Sequence, residues 1–184
     1  MNPPNTLPGL QHIDHVSLAV ADLTAASRFY CETFGGTELY RLGPFDAREF
    51  PRQPDGRDWT EAYQNVEDAR FDIAMLALGP KLMLELFCFS RPDNRSTQVP
   101  RNCDLGFGHI AFKVQDLDVA IAFLRERGLH IMEGPIVISD GPCAGLRVQY
   151  FLDPFGNQLE LVEYGHLPFM DGSTAKPHAR DHQA

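Results

Sequence analysis

The apolar and polar positions of this chain change period several times. Over residues 13–20 apolar and β-branched residues predominate with a two-residue period, which predicts a strand. Asp22 or Thr24 then stands where a helix needs a cap. Ala26, Phe29, Tyr30 and Phe34 follow at helical spacing, and Gly35-Gly36 supplies a stop. The same succession returns over residues 107–128: a strand, a cap at Asp116 or Asp118, an inward stripe of Ala120, Phe123 and Leu124, and a stop at Gly128. Further strands are predicted near 38–42, 71–78, 81–89, 131–138, 145–152 and 157–164. Asp153-Pro154-Phe155-Gly156-Asn157 has turn chemistry and predicts a hairpin between the last two.

The chain is thus an internal repeat. At an offset of 94, residues 13–34 and 107–128 are identical at seven of 22 positions: His15/His109, Val20/Val114, Asp22/Asp116, Leu23/Leu117, Ala26/Ala120, Phe29/Phe123 and Glu32/Glu126. A second match, Leu-Glu-Leu at 84–86 and 159–161, has an offset of 75. The first copy is therefore longer by 19 residues between its His and its Glu. The extra length is expected within 43–72, where Gly43, Pro44, Pro51, Pro54 and Gly56 among charged residues suit a loop. The organisation expected is a tail at 1–9, a first module at 10–95 with the insertion 43–72, a second module at 105–165, and a tail at 166–184.

Side chains alternate across a strand, so parity sorts them onto two faces. Val16, Leu18 and Val20 share the bulky face that must pack on a helix; His15, Ser17 and Ala19 share the other. Ile110, Phe112 and Val114 repeat the first set, and His109, Ala111 and Lys113 the second. In the last strand of the first copy Leu82, Leu84, Leu86 and Cys88 form a core face, and Glu85 interrupts the apolar run with Met83 and Phe87 beside it. Glu160 repeats it, with Gln158 and Val162. A carboxylate in such a strand is costly unless it is paired or binds a cation. Two His and two Glu, recurring at one repeat position with one parity, suit one divalent metal ion: Zn, Ni, Co, Mn or Fe.

Composition narrows the partners. Of 184 residues, 43% are apolar and 22% charged, as expected of a soluble globular chain. Sixteen basic against 25 acidic residues leave a net charge of −9, which repels phosphate backbones and anionic lipid, so neither nucleic acid nor membrane is the expected partner. The start has neither the basic nor the apolar stretch of a secretory signal. Cys31, Cys88, Cys103 and Cys143 make no C-x-x-C pair and read as free thiols of a cytoplasmic protein. Arg41, Arg48 and Arg52, in or near the insertion with Trp59 and Tyr63, read as surface charges around an aromatic anchor; Lys113 reads as a snorkelling strand-end residue and Tyr150 as core.

The runs I-D-H-V-S-L-A-V-A-D-L, G-H-I-A-F-K-V-Q-D-L and F-L-D-P-F-G-N-Q-L-E-L-V-E resemble the vicinal oxygen chelate superfamily, which includes glyoxalase I, epimerases, extradiol dioxygenases, fosfomycin-modifying enzymes and bleomycin-resistance proteins. The resemblance covers residues 11–89 and 107–164. It implies an α+β fold of two pseudo-symmetric βαβββ modules whose mixed sheets curl into a cup around one metal, with helices outside. The family's ligand positions fall on His15, Glu85, His109 and Glu160, the residues that parity selects. The pattern is most similar to glyoxalase I. It implies a lyase or isomerase that chelates adjacent oxygens of a small molecule and stabilises an enediolate or enolate during proton transfer, with Glu160 or Glu85 as base. An extradiol-type dioxygenase, a fosfomycin-type transferase and a metal-free binding protein remain alternatives, and a homodimer is implied.

Overall fold

In the computed structural model the described residues are 7, 9, 11–80, 82–96, 98–104, 106, 108–139 and 143–165. Apart from Leu7 and Gly9, the expected tails lie outside them. The chain divides into two units, the first ending at Thr97 and the second beginning at Gln98.

The first unit runs β1 (His15–Ala19), α1 (Leu23–Phe34), β2 (Thr37–Asp46), a 3₁₀ turn at Ala47–Glu49, α2 (Trp59–Gln64), β3 (Arg70–Leu78) and β4 (Leu82–Arg91). Of the two candidate caps, Asp22 acts: its carboxylate accepts from the Ala25 N–H, 2.9 Å away. Gly35 ends α1 in the left-handed region at φ 67, where a Cβ would be strained. The sheet order is β1-β4-β3-β2, with β1 parallel to β4 and the other neighbours antiparallel. Leu84 and Leu86 of β4 and Leu76 of β3 are fully buried, and α1 packs on both strands with Ala26 and Tyr30. Each such leucine contributes about 2 kcal/mol by leaving water. This burial leaves the opposite parity, including Glu85, for the other face.

The insertion differs from the loop its composition predicts. β2 continues through Gly43-Pro44 to Asp46, and Trp59–Gln64 is helical. Pro44 is tolerated because β2 lies at the sheet edge and its register shifts between Leu42 and Phe45. Asp58 caps α2. The Trp59 indole donates to the Asp46 carbonyl at 3.1 Å and its ring lies 6.2 Å from that of Phe71, which ties the insertion to the sheet.

The second unit runs β5 (Ile110–Lys113), α3 (Leu117–Glu126), β6 (His130–Ile131), β7 (Ile136–Val137), β8 (Arg147–Leu152) and β9 (Gln158–Glu163). Asp116 is the cap, accepting from the Val119 N–H. The order is β5-β9-β8-β6, with β7 also on β8 and β5 parallel to β9. The single strand expected at 131–138 is two short ones. The gap between them holds Gly134-Pro135, and the Gln149 side-chain amide donates into it, to the Met132 carbonyl at 2.8 Å. On α3, Leu117, Ile121 and Leu124 are buried, whereas Phe123 is half-buried with the Arg127 guanidinium stacked on its ring. The expected hairpin forms: the buried Asp153 carboxylate accepts from the N–H groups of Phe155 and Asn157, both at 2.8 Å.

Both units share one topology, a strand, a helix and then the rest of a mixed sheet, so the expected α+β class of two βαβββ modules holds. The four cysteines are free thiols. Among the described residues, no helix is long and apolar enough to cross a membrane.

Candidate metal centre

Strand register sets the geometry. Ser17 lies opposite Glu85 between the parallel β1 and β4, and Ala111 lies opposite Glu160 between β5 and β9. The same offsets of 94 and 75 relate the sequence repeats, so the two units align their strands identically. Each His precedes the paired small residue by two, on the same face. The result is a contact in each unit: His15 Nε2 is 3.4 Å from Glu85 Oε2, and His109 Nε2 is 3.1 Å from Glu160 Oε2. The glutamates sit deeper than the imidazoles, with side chains 15% and 10% exposed against 39% and 31%.

The far side of each ring is also engaged. His15 Nδ1 lies 2.8 Å from Asp14 Oδ2, and His109 Nδ1 lies 3.3 Å from Asn102 Oδ1. Those oxygens accept a hydrogen bond from the Nδ1–H tautomer, which directs the Nε2 lone pair toward the glutamate. A nitrogen lone pair facing a carboxylate oxygen at this range requires a proton or a cation between them. The His15 imidazole is accordingly held above the usual range, chiefly by its hydrogen bond to Asp14. Burial opposes this, while the charges of Glu85 and Asp14 add to it. Each unit thus pairs one imidazole nitrogen with one carboxylate and an oriented outer partner, donor types that divalent ions of the zinc-to-manganese range accept.

The four expected residues stand as two pairs. Among the described residues, no group of three or more His, Cys, Asp or Glu side chains is placed to hold a metal. Neither unit by itself therefore supplies more than one His–Glu pair.

The sequence reading missed three participants. Asp14 and Asn102 orient the imidazoles and carry no signal beyond closeness to them in sequence. Tyr150, expected in the core, is half-buried opposite Glu160 across the β8–β9 hairpin, and its ring meets that of His109 edge-on at 5.2 Å. Burial raises its phenol above the usual range, with the charge of Glu160 and a hydrogen bond to it acting the same way. The signal was available: the turn at 153–157 pairs each β8 residue with a β9 residue by simple counting, which sets 150 against 160. The corresponding neighbour of Glu85 is Met75.

The remaining polar candidates are occupied elsewhere. Arg41 binds Glu38 and the Thr24 hydroxyl, Arg48 binds Asp68, and Arg52 donates to the Gly56 carbonyl. Lys113 places its ammonium over the Tyr164 ring.

A family model described as the glyoxalase/bleomycin resistance protein/dioxygenase superfamily matches residues 12–161. The 2-epi-5-epi-valiolone epimerase of an Actinomyces species is 40% identical over 158 residues, spanning 85% of this chain and 81% of that protein. A glyoxalase family protein from Bacillus cereus has a similar fold, with a TM-score of 0.63 and 22% identity over 89% of this chain and 99% of that one. Another, from Enterococcus faecalis, has a TM-score of 0.56 and 27% identity over 83% and 98%.

Proposed function

We propose an isomerase of the epimerase kind for this chain, which belongs to the glyoxalase/bleomycin resistance protein/dioxygenase superfamily. Its substrate would be a small hydroxy ketone, and the reaction inversion at a carbon next to the carbonyl. The observation that carries the reading is the His–Glu contact repeated at register-equivalent positions of both units. The 40% identity to an enzyme named for epimerising a ketone supports the substrate class.

His15, Glu85, His109 and Glu160 are the residues that would ligate a divalent ion. When bound, such an ion supplies Lewis acidity to neighbouring oxygens of the substrate. The rest of the reaction falls to side chains. A glutamate carboxylate takes the proton from the carbon beside the carbonyl, and the electrons of the broken C–H bond move onto the carbonyl oxygen. Return of a proton to the opposite face of that carbon completes the inversion without net oxidation. Asp14 and Asn102 keep the imidazole Nε2 atoms aimed at the glutamates throughout.

The test is incubation of the metal-loaded protein with 2-epi-5-epi-valiolone and related hydroxy ketones in D₂O. Deuterium should appear at the inverted carbon, without oxygen consumption. Oxygen uptake with a panel of catechols, and no exchange with the ketones, would replace this reading with ring cleavage.

A further inference from the structure

The insertion in the first unit borders a cavity of about 390 Å³, lined by Phe45, Phe50, Gln53, Trp59 and Tyr63. Two of its walls are held by the sheet. The rings of Phe45 and Trp59 lie 5.3 Å and 6.2 Å from that of the buried Phe71, and the Trp59 indole N–H is committed to the Asp46 carbonyl. The other aromatic walls face water: Phe50, edge-on to Trp59 at 6.1 Å, is 61% exposed, and Tyr63 is 73% exposed. Single exposed aromatics are ordinary, but these two converge on one concavity. The remaining wall residue is Gln53, whose backbone N–H and carbonyl are bonded to Arg57 and Gly56, which fixes where its side-chain amide starts. No acid, lysine, arginine or histidine lines the cavity, although the surrounding segment is rich in arginine and acidic residues. Arg48 binds Asp68, Arg57 binds Asp55, and Arg52 donates to the Gly56 carbonyl. A charged ligand would therefore lose hydration here without gaining a counter-charge. The volume is at the lower end of small-molecule sites and is far too small for a protein partner's interface. Phe71 pairs with Phe89, which shares a face of β4 with Glu85 but stands four residues beyond it, about 13 Å along the strand.

We propose that this cavity is a binding site for a neutral, flat aromatic ring with one amide-like substituent, separate from the His15–Glu85 pair. The ring packs against Trp59, with Phe50 and Tyr63 closing on it from the solvent side, in the offset and edge-on arrangements that aromatic rings favour. The substituent is recognised by the Gln53 amide, which both donates and accepts. Water leaves two exposed aromatic side chains when the ring enters, and this burial is the driving force. The site requires neither a metal ion nor turnover.

Trp59 is the chain's single tryptophan, so its fluorescence reports on this cavity directly. Benzamide, titrated into the full-length protein with excitation of the indole alone, should change the emission saturably. Benzoate, of the same shape but charged, should bind at least about tenfold more weakly. Cyclohexanecarboxamide, which keeps the amide and loses the flat ring, should bind at least about twofold more weakly. Phe50→Ala with Tyr63→Ala should weaken benzamide at least about fivefold, and Gln53→Leu at least about twofold. Both changes fall on surface side chains, so the thermal unfolding midpoint should stay near that of the native protein. The hydroxy ketone 2-epi-5-epi-valiolone should leave the benzamide titration unchanged. No saturable response, equal affinity for benzoate, or variants that bind benzamide like the native protein would overturn the proposal. Displacement of benzamide by the ketone would merge the cavity with the reaction site and end its separate standing. Emission that changes on dilution of the protein alone would make a second copy of the chain the occupant, and would overturn it too.

Discussion

Burial alone would raise the carboxyl of Asp58, yet the Glu61 N–H, the Thr60 hydroxyl and the Asp68 N–H outweigh it and hold the group down to about 2. A carboxylate held below its unfolded value of 3.8 adds stability that is complete above that value and lost as pH falls through the folded one. Asp58→Ala should therefore lower the unfolding free energy by about 2 kcal/mol at neutral pH. In urea titrations the deficit should shrink between about pH 4 and about pH 2. At this scale the ligand candidates were legible because His and Glu recur where an apolar strand has no use for them. Tyr150 was not, because a tyrosine in an apolar strand is ordinary core material, and only its register beside Glu160 gives it a role.

Strands and helices were legible wherever one face is apolar, because burial then specifies the register. Leu84 has no exposed surface, so Leu84→Ala should cost about 2–5 kcal/mol in chemical denaturation. Through the same strand it should loosen Glu85. The edge strands were less legible. β2 keeps its ladder past Gly43-Pro44, and β6 and β7 break where one strand was expected, because pairing with β3 or β8 and side chains such as Gln149 settle what local composition leaves open. Gly43 stands at φ 128, and a Cβ there would come within 2.5 Å of Asp72 Oδ1 and 3.0 Å of Asp72 Cα. Gly43→Ala should therefore destabilise the protein by more than about 1 kcal/mol, measured by thermal unfolding.

On the scale of the whole molecule, each unit supplies one His–Glu pair to the proposed ligand set. One ion per chain is expected by elemental analysis. His15→Ala and His109→Ala should each lose it, and the double variant should be no worse than either alone. Two independent half-sites would instead let each single variant retain metal. The amino-acid sequence by itself determined the repeat, the faces of the strands and the four candidate ligands, because side-chain alternation and helical spacing are local rules that survive in a linear string. Tertiary structure decided what surrounds those ligands: Asp14 and Asn102 behind the rings, Met75 beside one glutamate and Tyr150 beside the other. These neighbours are fixed by strand pairing between distant segments, and pairing depends on packing that no single segment contains.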